Sequence, residues 1–371
     1  MTLRTVGVEE ELLLVDPETR EASPRSQQVL KYAAEHGLPG AEDLEQELYR
    51  HQLETRTSPT TDLSDLRADI LRGRRAAAQA AEGAGLLTAA VGAIPLGPDE
   101  PRTTRDDRYL HMVDTYGDVA RSAGTCGMHV HVSIASDEEG VRVIDALAPW
   151  LPVILAISAN SPYYEGRSTG YASWRARLWA QWPSAGPTEP FGTVEGYHEV
   201  SRRMVASGAA RDDGMLYFDA RLAQHYPTVE VRISDVCTDP ADAVLVVALV
   251  RALVEHSAAA PPEDLPGAWR VEMLRAAQWR AARYGLGDRL LDPLTGELAP
   301  ARSVLESLVR TVGDHLAVAG DVDLVRSGVA RVLADNGSVR QRAVHERHGS
   351  VRDVVDDLVA RTNAGWRATT G

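Results

Sequence analysis

The sequence predicts an α+β protein, and two patterns carry that expectation. Three segments alternate polar and apolar residues at the period of a β-strand, and each gathers carboxylate, imidazole or guanidinium groups on one face. From Asp239 onward the apolar residues recur at a helical period instead. Helices supplied late in the chain would cover or edge a sheet, which favours α+β. The chain reads as one domain over residues 1–371, with a helical C-terminal portion at about 239–365.

Taken in order, the first strand runs through Thr5–Val15 and turns at Asp16-Pro17, and Ser26–Glu35 reads as a helix. Leu44–Thr57 is a strand region ending at Ser58-Pro59. Thr61 or Asp62 can cap a helix that reaches about Gly83. Leu86–Ala93 reads as a buried strand before Pro95. Cys126–Ile134 forms another strand, and Asp137–Ser158 is largely helical. Asn160–Phe191 is rich in Gly, Pro and Trp, as expected of a functional loop region rather than a plain connector. A strand region follows at Met215–Val236. Helices are expected at Pro240–Ala260, Ala268–Tyr284, Ala301–Ala319, Asp321–Asp335 and Val351–Thr362.

Bulk composition removes several function classes. A net charge of −14 argues against a nucleic-acid footprint. The longest apolar runs fall short of the ~18–20 residues a membrane span needs, and no secretory signal is visible. Cys126 and Cys237 are the only cysteines, too few for a disulfide framework, so a reducing cytoplasm is the expected compartment. Both read as small buried apolar groups. Lys31 is the only lysine, and no Gly-Lys-Ser/Thr unit exists for a phosphate-binding loop. Phosphate charge, if handled here, must be met by metal ions and arginines.

Within Val6-Gly7-Val8-Glu9-Glu10-Glu11-Leu12, strand parity puts Glu9 and Glu11 on one face and Glu10 on the other. Glu9 and Glu11 can share a hard cation, which takes oxygen ligands, or form a solvated acidic face. Glu10 is the weakest candidate, and its substitution is expected to be mild. Glu54 shares its face with Gln52 and Arg56. Glu47 lies seven positions earlier and joins Glu54 in one site only if a bulge or break intervenes. His129 and His131 form a pair of the kind that binds metal as neutral imidazoles, or divide into one functional and one structural residue. Glu230 and Arg232 suit a face where phosphate oxygens arrive; the plainer alternative is a salt bridge within the sheet. Arg175 can recognise a substrate carboxylate or simply be solvated. Trp174, Trp179 and Trp182 suit packing in the core or the loop.

These segments together resemble the signature strands of the type 2 glutamate–cysteine ligases, the carboxylate–amine ligase family of the glutamine synthetase superfamily. The residues that carry the resemblance are Val6–Glu11, Leu53–Pro59, Cys126–Val132 and Thr228–Arg232. Asn160-Ser161-Pro162, Thr169–Ser173, Trp279–Gly285 and Arg340-Gln341-Arg342 fit the same family in the same order, although Ser338-Val339 stands where Gly-Ala is expected. The resemblance implies a single catalytic domain with a curved, mainly antiparallel sheet forming a funnel, backed by helices. ATP would enter one end and amino-acid or amine substrates the other, with two or three Mg²⁺ or Mn²⁺ ions between. It implies metal ligation by Glu9, Glu11, Glu47, Glu54, His129 and Glu230, with Glu54 and Arg232 serving the reaction. Arg232, Arg340 and Arg342 would contact nucleotide; Asn160, Tyr171, Arg175 and His131 would contact substrate.

The expected activity is an ATP-dependent ligase, by default joining glutamate to cysteine through an acyl phosphate. Other acids or amines fit the same chemistry, and a homodimer is compatible with it. The rival from another class is a metal-dependent amidohydrolase using His129-x-His131 to activate water.

Overall fold

The computed structural model describes residues 3–47, 49–97, 107–121 and 124–367. Its main sheet uses β1 (Val6–Val15), β2 (Leu44–Gln46), β3 (Gln52–Arg56), β4 (Leu87–Ala89) and β5 (Gly127–Ser133). Two short strands, β6 (Tyr163–Tyr164) and β7 (Arg167–Ser168), make a separate hairpin before β8 (Ala220–Leu222) and β9 (Thr228–Asp235) complete the main sheet. A last hairpin joins β10 (Arg289–Leu291) to β11 (Leu298–Pro300). The main order is β2-β3-β1-β5-β9-β8, with β4 also paired to β1. Every pairing in that sheet among the described residues is antiparallel. The α+β expectation therefore holds.

One face of the sheet is apolar. Val6, Val8, Leu12, Met128, Val130, Val132, Val229 and Val231 are each at most 2% exposed. Helices Leu63–Gly83 and Pro240–Ala259 cover this face. Asp62 caps the first through the Ser64 amide at 2.7 Å. Asp239 caps the second through the Ala241 amide at 2.8 Å. No single described helix is long and apolar enough to cross a membrane. Helices Asp137–Leu147 and Leu151–Ser158 pass that test together but bend by 70°, and the second is buried throughout.

Several expected elements split. Leu44–Thr57 divides into β2 and β3 because the connection folds inward: Tyr49 is 3% and His51 2% exposed, and the Tyr49 hydroxyl donates to the Ala120 carbonyl at 3.0 Å. The strand region at Met215–Val236 is a hairpin of β8 and β9, and Leu86–Ala93 is strand only at β4. Among the described helices of ten or more residues, three escaped the periodicity argument: Asp107–Tyr116, Val194–Ala206 and Gly337–His348. Val194–Ala206 was masked by its turn-rich approach. Gly337–His348 buries Ser338, Arg340 and Gln341, so its inward face is polar and carries no apolar stripe.

Glu10 departs most from expectation. Parity does turn it to the helix side, but there it meets Arg74, whose Nε and Nη2 donate to its two carboxylate oxygens at 2.8 and 2.7 Å. Both side chains are essentially inaccessible, at 0% and 2%. Arg74 also donates to the Cys237 and Thr238 carbonyls at 2.6 Å each, tying β1 to the exit of β9. Removing one partner of a buried pair strands the other charge, at a cost of about 3–5 kcal/mol. Glu10→Gln should therefore lower unfolding free energy by that order in denaturant titration; a loss below about 1 kcal/mol would show the pair to be dispensable.

Candidate active site

Cross-strand register assembles the polar face. Glu9 lies opposite His129 on β5, Glu11 opposite Glu54 on β3, and His131 opposite Glu230 on β9. Directly opposed side chains on one face stand ~5 Å apart at Cβ, so the pairings themselves build a cluster. Three overlapping donor sets result, each with ligand atoms within 4.8 Å of one another: Glu9, Glu54 and His129; Glu9, His131 and Glu230; Glu11, Glu47 and Glu54. Glu47 enters because the chain breaks after β2, the condition its parity required.

Glu9, Glu11, Glu47, Glu54 and His129 line a cleft of about 240 Å³ whose walls include Tyr49, Tyr109, Trp179, Tyr217, Arg221 and Arg232. A second cavity of about 450 Å³ opens beyond Glu9, past Arg56, His131, Tyr226 and Thr228. Glu9 borders both. Glu9 thus stands between the two cavities.

The charges are unevenly balanced. Burial opposes ionising Glu230, but Arg232 and Arg221 outweigh it and hold its carboxyl well below the usual range. Arg232 Nη1 bonds Glu230 Oε1, and Arg221 Nε donates to Oε2 at 2.6 Å. Glu9 is also held low: burial works against it, while the His129 and His131 imidazoles more than offset that. His129 Nδ1 lies 3.1 Å from Glu9 Oε2. Burial, then the Arg232 charge, lowers the His129 pKa, which favours the neutral ring that a metal ligand needs. Glu54 is the opposite case. Burial and then Glu47 push its carboxyl well above the ordinary value, with Glu9 and Glu11 adding to the effect. Glu11 is raised too, by burial and by Glu47. Carboxylates crowded at this spacing call for a cation among them, and oxygen donors with one neutral imidazole suit Mg²⁺ or Mn²⁺.

The other expected contacts sit elsewhere. Asn160 is 1% exposed and donates through Nδ2 to Ala90 O, Val236 O and Thr238 Oγ1. Arg340 is paired with buried Asp242. Arg342 donates to the Tyr171 carbonyl at 2.8 Å, beside Trp279 and Arg283. Arg175 is 2% exposed and turns its guanidinium onto main-chain carbonyls of β9. None of these, Tyr171 included, lines the cleft. The sequence reading missed Arg221, although Arg221 and Glu230 flank the Gln224–Pro227 turn symmetrically, which in a hairpin sets them opposite each other.

Comparison with known proteins gives the class. A profile described as "Glutamate-cysteine ligase family 2" matches residues 5–357. The chain belongs to that family. It is a glutamate–cysteine ligase-type enzyme, an ATP-dependent carboxylate–amine ligase. A Nocardioides sp. protein named "Putative glutamate--cysteine ligase 2-1" is 57% identical, over 98% of this chain and 97% of its own. A Streptomyces avermitilis protein of the same name is 49% identical, over 97% and 99%. Among solved structures, the glutamate–cysteine ligase of Francisella tularensis in complex with AMP superimposes with a TM-score of 0.70 at 11% identity, covering 99% of this chain and 90% of that one. A bifunctional glutathione synthetase from Pasteurella multocida gives 0.70 at 15% over 98% of this chain, which spans 52% of that protein. At these identities the two structures establish the fold alone.

A carboxyl whose pKa is raised on folding stabilises below its unfolded pKa, and that contribution is lost as pH rises through the folded value. Glu54 is such a group. In divalent-free buffer, stability should fall as pH rises above the usual carboxylate range, and Glu54→Gln should flatten that fall while cutting turnover on the order of 100-fold or more. Thermal unfolding across pH checks the first, and an unchanged slope would show Glu54 to be unstrained.

Proposed function

We propose that the chain joins the γ-carboxylate of glutamate to the amine of cysteine, forming γ-glutamylcysteine with ADP and phosphate as co-products. The observation that carries the reading is one sheet face holding three carboxylate-rich donor sets with Arg232 and Arg221 at their edge. The donor sets of Glu9, Glu11, Glu47, Glu54, His129, His131 and Glu230 fit two or three Mg²⁺ or Mn²⁺ ions, which when bound would neutralise the charge of ATP phosphates.

The chain's own residues supply position and positive charge. In line with acyl-phosphate chemistry, the substrate γ-carboxylate attacks the γ-phosphate, ADP leaves, and the amine then displaces phosphate from the activated acid. Lys31 takes no part: its side chain is 73% exposed and pairs with Glu35 at 3.6 Å. Arginine does that work. Arg232 is held by Glu230 and stacks over Tyr217 with 5.9 Å to the ring centroid, and its buried Nε has no hydrogen-bond partner. Arg232 also lines the cleft, where its positive charge can meet an arriving phosphate. Glu230 fixes the guanidinium in advance, so little reorganisation accompanies the reaction. Trp179, Tyr217 and Tyr109 wall the cleft and limit water, which protects an acyl phosphate from hydrolysis. The family match favours this reading over the amidohydrolase.

Incubation with ATP, Mg²⁺, cysteine and glutamate labelled with ¹⁸O in its side-chain carboxylate should place one labelled oxygen in inorganic phosphate. Formation of AMP and pyrophosphate would exclude the mechanism. ADP released only with a different acid or amine would keep the mechanism and replace the substrates.

Arg232→Lys should lower turnover by about 10²–10³-fold with a smaller change in ATP affinity, because a point charge does not reproduce a planar fork. Steady-state kinetics with isothermal nucleotide titration separate the two, and an unaltered kcat would reduce Arg232 to a partner of Glu230.

A further inference from the structure

The register between β5 and β9 shifts at one place. Val130 faces Val231 and Met128 faces Ser234, so Arg232 and Ile233 together stand opposite the single residue His129. Such a bulge interrupts the ladder and re-aims side chains. It falls here on the arginine that meets Glu230.

Arg175 grips that bulge. Its Nη1 donates to the Ile233 carbonyl and its Nη2 to the Arg232 carbonyl, each at 3.2 Å. The side chain is 2% exposed, forms no ion pair with any carboxylate of the described residues, and leaves Nε without a partner. Asp235 and Glu11 lie close enough to offset part of the cost of burying this guanidinium, but its hydrogen bonds go to the β9 main chain and to neither carboxylate. The main chain of Arg175 is tied to the same strand: its amide donates to Ser161 Oγ at 3.1 Å, and that hydroxyl donates to Asp235 Oδ2 at 2.7 Å. Ser173 Oγ donates to the other Asp235 oxygen, also at 2.7 Å. The loop after Asn160 is thereby fastened to β9 at residues 232–233 and again at Asp235. Gly127 makes the room, since a Cβ there would stand 2.4 Å from Arg175 Nη2.

We propose that Arg175 is a positioning residue that clamps the β9 bulge and so sets where Arg232 presents its guanidinium to the transferring phosphate. The kinetic half of this inference rests on the ligase reading; the clamp itself does not.

Two measurements test it. Amide hydrogen exchange over residues 228–236 should quicken in Arg175→Met while the remaining β-sheet keeps its protection. Phosphate release should show kcat reduced about 100-fold, as for misplacement of about 1 Å, with KM for ATP and acid little changed. Arg175→Lys, which retains one donor head, should fall between Arg175→Met and the unaltered protein. In an Arg232→Lys background, Arg175→Met should add little, because the clamp acts through Arg232. Gly127→Ala, which displaces the guanidinium without removing it, should reproduce both effects and serves if Arg175→Met does not fold. Unchanged exchange at the bulge, an additive kcat loss, or a raised KM for acid at unchanged kcat would each overturn the proposal, the last by assigning Arg175 to substrate. Absence of ATP turnover in the unaltered protein would remove the ligase reading, and the exchange measurement would still decide the clamp.

Discussion

Repulsion between carboxylates governs this molecule. Glu9, Glu11, Glu47, Glu54 and Glu230 converge on one face of one sheet, where the low effective dielectric of a partly buried cleft strengthens every like-charge contact. The structure divides the problem spatially. On β9 two arginines hold Glu230 ionised. On β3 Glu54 makes no ion pair with an arginine among the described residues, and its carboxyl is pushed up by burial and its neighbours. A site already saturated with arginine would have no use for a cation, whereas this one leaves its charge unbalanced where phosphates and their counter-ions would gather.

A face under that strain needs a rigid support. The support lies on the reverse side of the same strands, where apolar residues pack against two long helices and the Glu10–Arg74 pair ties β1 to the end of β9. Neighbouring glutamates on one strand therefore play opposed parts. Glu9 and Glu11 crowd the cleft, and Glu10, between them, braces the sheet from behind.

The family elements outside the four strands are informative for where they went. Arg340, on the helix Gly337–His348, pairs with Asp242, while Gln341 and Arg342 of the same helix donate to the Asn160 carbonyl at 2.9 Å and the Tyr171 carbonyl at 2.8 Å. These last two hold the loop after Asn160 in place, and that loop carries Trp179 into the cleft wall and Arg175 under β9.

Strand parity was legible from the chain alone. A period of two separates Glu9 and Glu11 from Glu10, and His129 and His131 from Val130, whatever the strand pairs with. With Lys31 the only lysine, the composition likewise left metal ions and arginines to meet any phosphate charge. What the chain could not show is which strand lies beside which. Register alone makes Glu11 the neighbour of Glu54 and Glu230 that of His131, and only packing reveals that Glu10 faces an arginine 64 residues away. The helix Gly337–His348 was hidden because its inward face is polar, satisfied by partners far away in sequence. Local periodicity records the face a side chain occupies; the partner it finds there belongs to the tertiary structure, because hydrogen bonds and ion pairs between distant segments leave no periodic mark on either one.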